Sequence, residues 1–110
     1  IAIVPSLYEG FSIPAFEAMS CGAALIATDG GALPEVTGPH LETCLQVPAG
    51  DSDALAEQIK FAFSDADLRS RIGAAARRRV IDTWSWKTSG QQTAALCRDL
   101  LADWHGDTDR

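Results

Sequence analysis

Two carboxylates, Glu9 and Glu17, bracket one loop in the stretch Pro5-Ser6-Leu7-Tyr8-Glu9-Gly10-Phe11-Ser12-Ile13-Pro14-Ala15-Phe16-Glu17-Ala18-Met19. A carboxylate accepts two O–H donors at once, so acids in this setting suit hydroxyl groups. Between them the sequence builds an anion site. Ser12 is placed to cap a helix, and Pro14 falls in a first turn that tolerates a missing N–H. A helix starting there points free N–H groups and a partial positive charge out of the loop. In nucleotide-binding folds the guest at such a terminus is commonly a phosphate. Gly10 is read as allowing a backbone turn that a side chain would hinder. Glu17 follows Ile13 by one helical turn and faces the same side. A ligand with phosphate in the middle and polyols on both sides fits this layout, which is the shape of a nucleotide sugar. Taken alone, the two acids fit equally a helix-capping acid and a solvated helix face.

The elements that must position this loop follow in a regular order. Ile1 to Val4 is a β-branched apolar run that Pro5 stops, which predicts a strand. A helix runs from Pro14 to about Ser20 and ends at Gly22. Ala24 to Thr28 and Cys44 to Val47 are two further strands, with a short helix at Leu33 to Val36 between them and a break at Gly38-Pro39. Strands alternating with helices favour a parallel sheet, and ligands bind at the carboxyl ends of its strands. The Pro5-to-Ile13 loop lies at one such end and Asp29-Gly30-Gly31 at the next. The glycine pair is read as a tight turn into Leu33-Pro34-Glu35. The fold class is therefore α/β: half of a doubly wound Rossmann-like domain, a three-stranded parallel sheet flanked by helices, with a helical C-terminal part.

That second half carries three helical patterns. Asp51 or Ser52 caps a helix with Leu55, Ile59 and Phe63 at spacing four and Ala62 beside them. Asp65 or Asp67 starts the next, with Leu68, Ile72, Ala76 and Val80 on one face. Arg69, Arg71, Arg77, Arg78 and Arg79 are read as a solvated, cationic helix end. Ser85 caps a last helix with Ala95, Leu96, Leu100 and Trp104 inward, and Trp84 and Trp86 act as packing anchors. The polar tail, residues 105–110, is expected to be disordered.

The strings P-S-L-Y-E-G-F-S-I-P-A-F-E-A-M-S-C-G, T-D-G-G-A-L-P-E-V, L-Q-V-P-A-G-D-S-D-A-L-A-E and W-S-W-K, in that order, resemble the retaining glycosyltransferases of family 4, which have the two-domain GT-B fold. Glu9 and Glu17 stand where that family has its E-x7-E motif. The resemblance implies that residues 1–104 are part of the C-terminal nucleotide-sugar-binding domain. It implies that Glu17 binds the ribose hydroxyls and Glu9 the hydroxyls of the donor sugar. The backbone N–H groups of Gly10, Phe11, Ser12 and Ile13 would meet the sugar and the diphosphate. Many members carry Gly where this chain has Ser12; the contact is through the backbone, so the hydroxyl is expected to be tolerated. The implied reaction moves a sugar from a nucleotide-diphosphate sugar to an acceptor alcohol (sugar, lipid or small molecule) with retained configuration, and without a metal or other cofactor. Glu9 is also the one catalytic candidate, as a nucleophile, although the resemblance favours donor binding.

Composition narrows the partners. With a hydrophobic fraction of 46% and 22% charged residues, the chain reads as an ordinary globular domain. Its net charge of −6 argues against nucleic acid, which demands Lys and Arg at the phosphates. No apolar run approaches the roughly 20 residues that span a bilayer. The expected location is the cytoplasm, with peripheral attachment to a membrane open for a full-length protein. Cys21, Cys44 and Cys97 lack metal-ligand spacing and are read as small buried hydrophobes; neither His40 nor His105 is read as catalytic. A chain opening at Ile1 inside a strand is expected to be a piece of a longer enzyme, inactive without its N-terminal acceptor domain. The alternative is a non-catalytic interaction module, homodimeric through an exposed edge at its first strand.

Overall fold

A computed structural model describes residues 1–106. The elements are β1 (Ala2–Val4), α1 (Ile13–Ser20), β2 (Leu25–Thr28), α2 (Leu33–Thr37), β3 (Leu45–Val47), α3 (Ser52–Ser64), α4 (Ala66–Thr83) and α5 (Trp86–Gly106). The strands form one parallel sheet in the order β1-β2-β3, with Ala2 opposite Leu25 and Ile26 opposite Leu45. This is the three-stranded α/β arrangement that the alternating pattern predicts. β1 is an edge, and its Ile3 is exposed.

β2 is buried along its whole length, and apolar up to Thr28, because both of its faces are covered. Leu25 and Ala27 join Val4, Ala15, Met19, Leu33 and Cys44 on one face; Ala24 and Ile26 join Leu45, Val47, Ala62 and Leu68 on the other. α4 serves both cores. Its Leu68 and Ile72 pack on the second face, while Ala76 and Val80 reach the first. The helix crosses between them at Gly73, where a Cβ would lie 2.1 Å from the Gly22 carbonyl oxygen. Gly22 itself has φ 74° and closes the end of α1.

Side-chain caps set the helix starts. Asp51, not Ser52, accepts from Ala54 N, and Asp65, not Asp67, accepts from Leu68 N. Ser85 accepts from Thr88 N at 3.1 Å and so caps α5.

Five expectations are corrected here. Phe63 is exposed, and Leu55, Ile59 and Ala62 face the core instead. At about 100° per residue, Ala62 returns to within about 20° of Leu55, whereas Phe63 has swung about 80° away. Leu96, Leu100 and Trp104 are exposed rather than inward, with only Ala95 half-buried, because no other described element packs closely along α5. Trp86 is 93% exposed and anchors nothing in the core. Cys21 and Cys97 are exposed, since one follows the end of α1 and the other sits on α5. Finally, α5 continues through Gly106, so the helix runs two residues into the stretch expected to be disordered; the rest of that stretch, residues 107–110, lies outside the described residues.

The arginines of α4 are not simply solvated either. Arg69 donates to the Ala62 and Phe63 carbonyls at 2.7 and 3.0 Å, and Arg79 donates to those of Val36 and Glu35 at 3.2 and 2.7 Å. Arg77 donates to the Ser20 carbonyl. Each satisfies orphan carbonyls at the C-terminus of another helix: α3, α2 and α1 in turn. Among the described residues, no helix is long and apolar enough to cross a membrane.

Candidate functional site

The loop between β1 and α1 leaves the carboxyl end of the sheet, and its shape is set at Ser12. This residue has φ 77° and ψ 83°, in the left-handed region, and is only 4% exposed. Its Oγ accepts from Ala15 N at 3.4 Å, and its carbonyl accepts from Phe16 N at 3.1 Å. The cap is thus as expected, but the strained position is Ser12 and not Gly10. Gly10 does not have a positive φ, and a Cβ there would meet nothing within 4 Å. A left-handed residue favours glycine, which fits the glycine that the resemblance implies at this position.

The turn leaves four successive backbone donors free. Among the described residues, the N–H groups of Gly10, Phe11, Ser12 and Ile13 have no bonded acceptor. Glu9 is half-buried on one side of them, and the exposed Glu17 and Ile13 share the outer face of α1 on the other. The structure therefore brings all six predicted site residues to one loop and one helix start. Phe11 fixes the loop from below: its ring lies 5.9 Å from that of Phe16 and meets Trp84 edge-on at 5.3 Å. Trp84 is thus an anchor, as expected. Phe11, Ile13, Phe16, Trp84, Trp86 and Ser89 line an open apolar cleft of about 290 Å³ beside the loop.

Ser6, Thr28, Gly30, Gly31 and Ala32 support Glu9 and its loop, a role that the sequence alone does not reveal. Ser6 donates its hydroxyl to Glu9 Oε1 at 2.7 Å. The buried Thr28, at the end of β2, donates to the Ser6 carbonyl. Gly31, at φ 66°, lies so close that a Cβ would come 2.3 Å from the Glu9 carbonyl oxygen, and one on Gly30 would come 2.3 Å from that of Leu7. Ala32 N then donates to the Glu9 carbonyl at 2.8 Å. The glycine pair is more than a turn: it allows the second loop to lie directly on the first. The Gly-Gly dipeptide was the available signal; its partner, more than twenty positions away, was not.

The Glu35 side chain is exposed in the first turn of α2, where a carboxylate complements the helix dipole. His40 accepts from Gln46 N at 2.9 Å through Nδ1. Burial pushes the Cys44 thiol up, with the Thr37 hydrogen bond and Arg79 acting the other way.

Known proteins resemble this chain in sequence and in fold. The family described as Glycosyl transferases group 1 matches residues 1–79. Over 103 residues the chain is 42% identical to an MMP alpha-(1->4)-mannosyltransferase of Mycolicibacterium hassiacum, covering 93% of this chain and 25% of that protein. It is 34% identical over 107 residues to an alpha-maltose-1-phosphate synthase of Mycolicibacterium smegmatis, covering 93% and 28%. A solved sucrose-phosphate synthase from Thermosynechococcus elongatus superimposes with a TM-score of 0.85 at 38% identity, over 92% of this chain and 25% of that one. An Anabaena protein solved in complex with UDP gives a TM-score of 0.84 at 24% identity, over 88% and 27%, which is a likeness of fold. The chain spans about a quarter of the length of these relatives. With a match from the first strand through most of α4, the chain belongs to the glycosyl transferases group 1 family and carries a GT-B-type, Rossmann-like fold.

Proposed function

We propose that the chain is the C-terminal, donor-binding part of a retaining glycosyltransferase of family 4. The observation that carries this is the run of four free N–H groups between two carboxylates at the carboxyl end of β1. In this reading the amides of Gly10, Phe11, Ser12 and Ile13 hold the diphosphate and the near edge of the sugar. Glu17 accepts from the ribose hydroxyls and Glu9 from hydroxyls of the donor sugar. Catalysis comes from positioning and from stabilising the charge that grows on the leaving diphosphate, to which the N-terminus of α1 contributes. Glu9 acts on the donor as a binding group. The names of relatives support a nucleotide-activated donor: one is a GDP-mannose-dependent mannosyltransferase of Corynebacterium glutamicum. The acceptor alcohol would be bound by a further domain, and turnover requires it.

The test is an amide-resolved NMR titration with UDP, GDP and ADP. The expected result is that one of these shifts the resonances of Gly10 to Ile13 and Glu17, leaving α3 unmoved. Shifts confined to other elements, or none with any of the three, would contradict the reading. In the full-length enzyme the product is expected to keep the anomeric configuration of the donor.

A further inference from the structure

We infer that Ser6, Thr28 and Gly31 form a positioning relay that aims the Glu9 carboxylate at the donor. This rests on the donor-binding reading of Glu9 and extends it to residues that make no contact with substrate. The relay runs inward in three steps. Ser6 O–H occupies Glu9 Oε1 at 2.7 Å, which fixes the carboxylate rotamer and leaves Oε2 to accept from a sugar hydroxyl. The carbonyl of Ser6 is in turn held by the hydroxyl of Thr28, a residue that is 3% exposed at the end of a strand buried on both faces. The backbone of Glu9 is held from the other side, where Ala32 N donates to its carbonyl and Gly31 pairs with it as an isolated parallel bridge.

The second loop is itself pinned to the third strand. Asp29 N donates to the Val47 carbonyl at 3.0 Å, and Asp29 Oδ1 accepts from Ala49 N at 2.8 Å. The carboxylate at the rim is thereby tied through two loops to all three strands. A carboxylate held in one rotamer loses less freedom when the donor arrives, and that raises affinity for the sugar without a new contact. The nucleotide half of the ligand, at Glu17 and the amides, does not depend on this relay.

The experiment is a double-mutant cycle in the full-length enzyme, read as binding of GDP-mannose, UDP-glucose and ADP-glucose against GDP, UDP and ADP. Ser6→Ala is expected to weaken the bound nucleotide sugar roughly tenfold and leave the matching diphosphate unchanged. It is expected to add nothing in a Glu9→Ala background, and Ser6→Thr, which keeps a hydroxyl, is expected to restore most of the affinity. Thr28→Val is expected to change the sugar nucleotide in the same direction by less. If Ser6→Ala matches wild type while Glu9→Ala weakens the donor, the relay is overturned and the donor reading stands. Equal losses for sugar nucleotide and diphosphate, persisting without Glu9, would make Ser6 a general structural residue and also overturn it. If wild type binds none of the probes, or Glu9→Ala binds like wild type, the donor reading fails and the relay fails with it.

Discussion

Ser12 shows how one residue serves both the loop backbone and the start of α1. A non-glycine residue held at a positive φ costs about 1–2 kcal/mol, which its buried hydroxyl offsets in part by capping α1. Replacing it by glycine removes the strain together with the cap, and glycine at an N-cap position costs only a few tenths of a kcal/mol. Glycine also adds freedom to the unfolded chain, at about 0.4–1 kcal/mol, so Ser12→Gly is expected to leave stability between unchanged and about 1 kcal/mol above wild type. Ser12→Ala keeps the strain and loses the cap, and is expected to cost about 1 kcal/mol. Denaturant unfolding monitored by circular dichroism checks both; an alanine variant as stable as the glycine one would contradict the account. The contrast with Gly10 is instructive. The sequence makes that glycine look like the special residue, yet the left-handed conformation falls two positions later on a serine, because the dihedral angles are set by how the loop joins the helix.

At the scale of elements, glycine again separates what local pattern shows from what packing decides. Gly73 and Gly90 both sit inside helices, and propensity alone gives alanine an advantage of about 1 kcal/mol at each. Around Gly90 there is open space, so Gly90→Ala is expected to stabilise α5 by about that amount. At Gly73 the new methyl would meet the Gly22 carbonyl and force α4 away from α1, so Gly73→Ala is expected to destabilise by about 1–3 kcal/mol. Thermal melts of the two variants test this, and shifts of the same sign would contradict it. The three strands and the helix starts are legible because short apolar runs alternate with helical patterns and because Ser12, Asp51, Asp65 and Ser85 have the chemistry of caps. The contacts of Gly30 and Gly31 with the Glu9 loop are not, since they join segments far apart in sequence. Nor are the roles of Arg69, Arg77 and Arg79. A cation on an exposed helix face looks solvated until the end of a neighbouring helix is found beneath it.

At the scale of the whole molecule, the described surface carries apolar groups that its own core does not use. Leu96, Leu100, Leu101 and Trp104 are 59–72% exposed on α5, and Ile3 is 42% exposed on the edge strand. The match to about a quarter of each relative's length supplies a proposal for what covers them, namely the remainder of a longer two-domain enzyme. The 110-residue chain holds the proposed donor loop and its supports, and the central claim concerns that loop. The most direct measurement is calorimetric titration of the full-length protein with a nucleoside diphosphate and the matching nucleotide sugar, in wild type, Glu17→Ala and Glu9→Ala. The account predicts that Glu17→Ala weakens both ligands by about one to two orders of magnitude, whereas Glu9→Ala weakens only the nucleotide sugar. Binding unchanged by either substitution would make both acids structural and contradict the assignment.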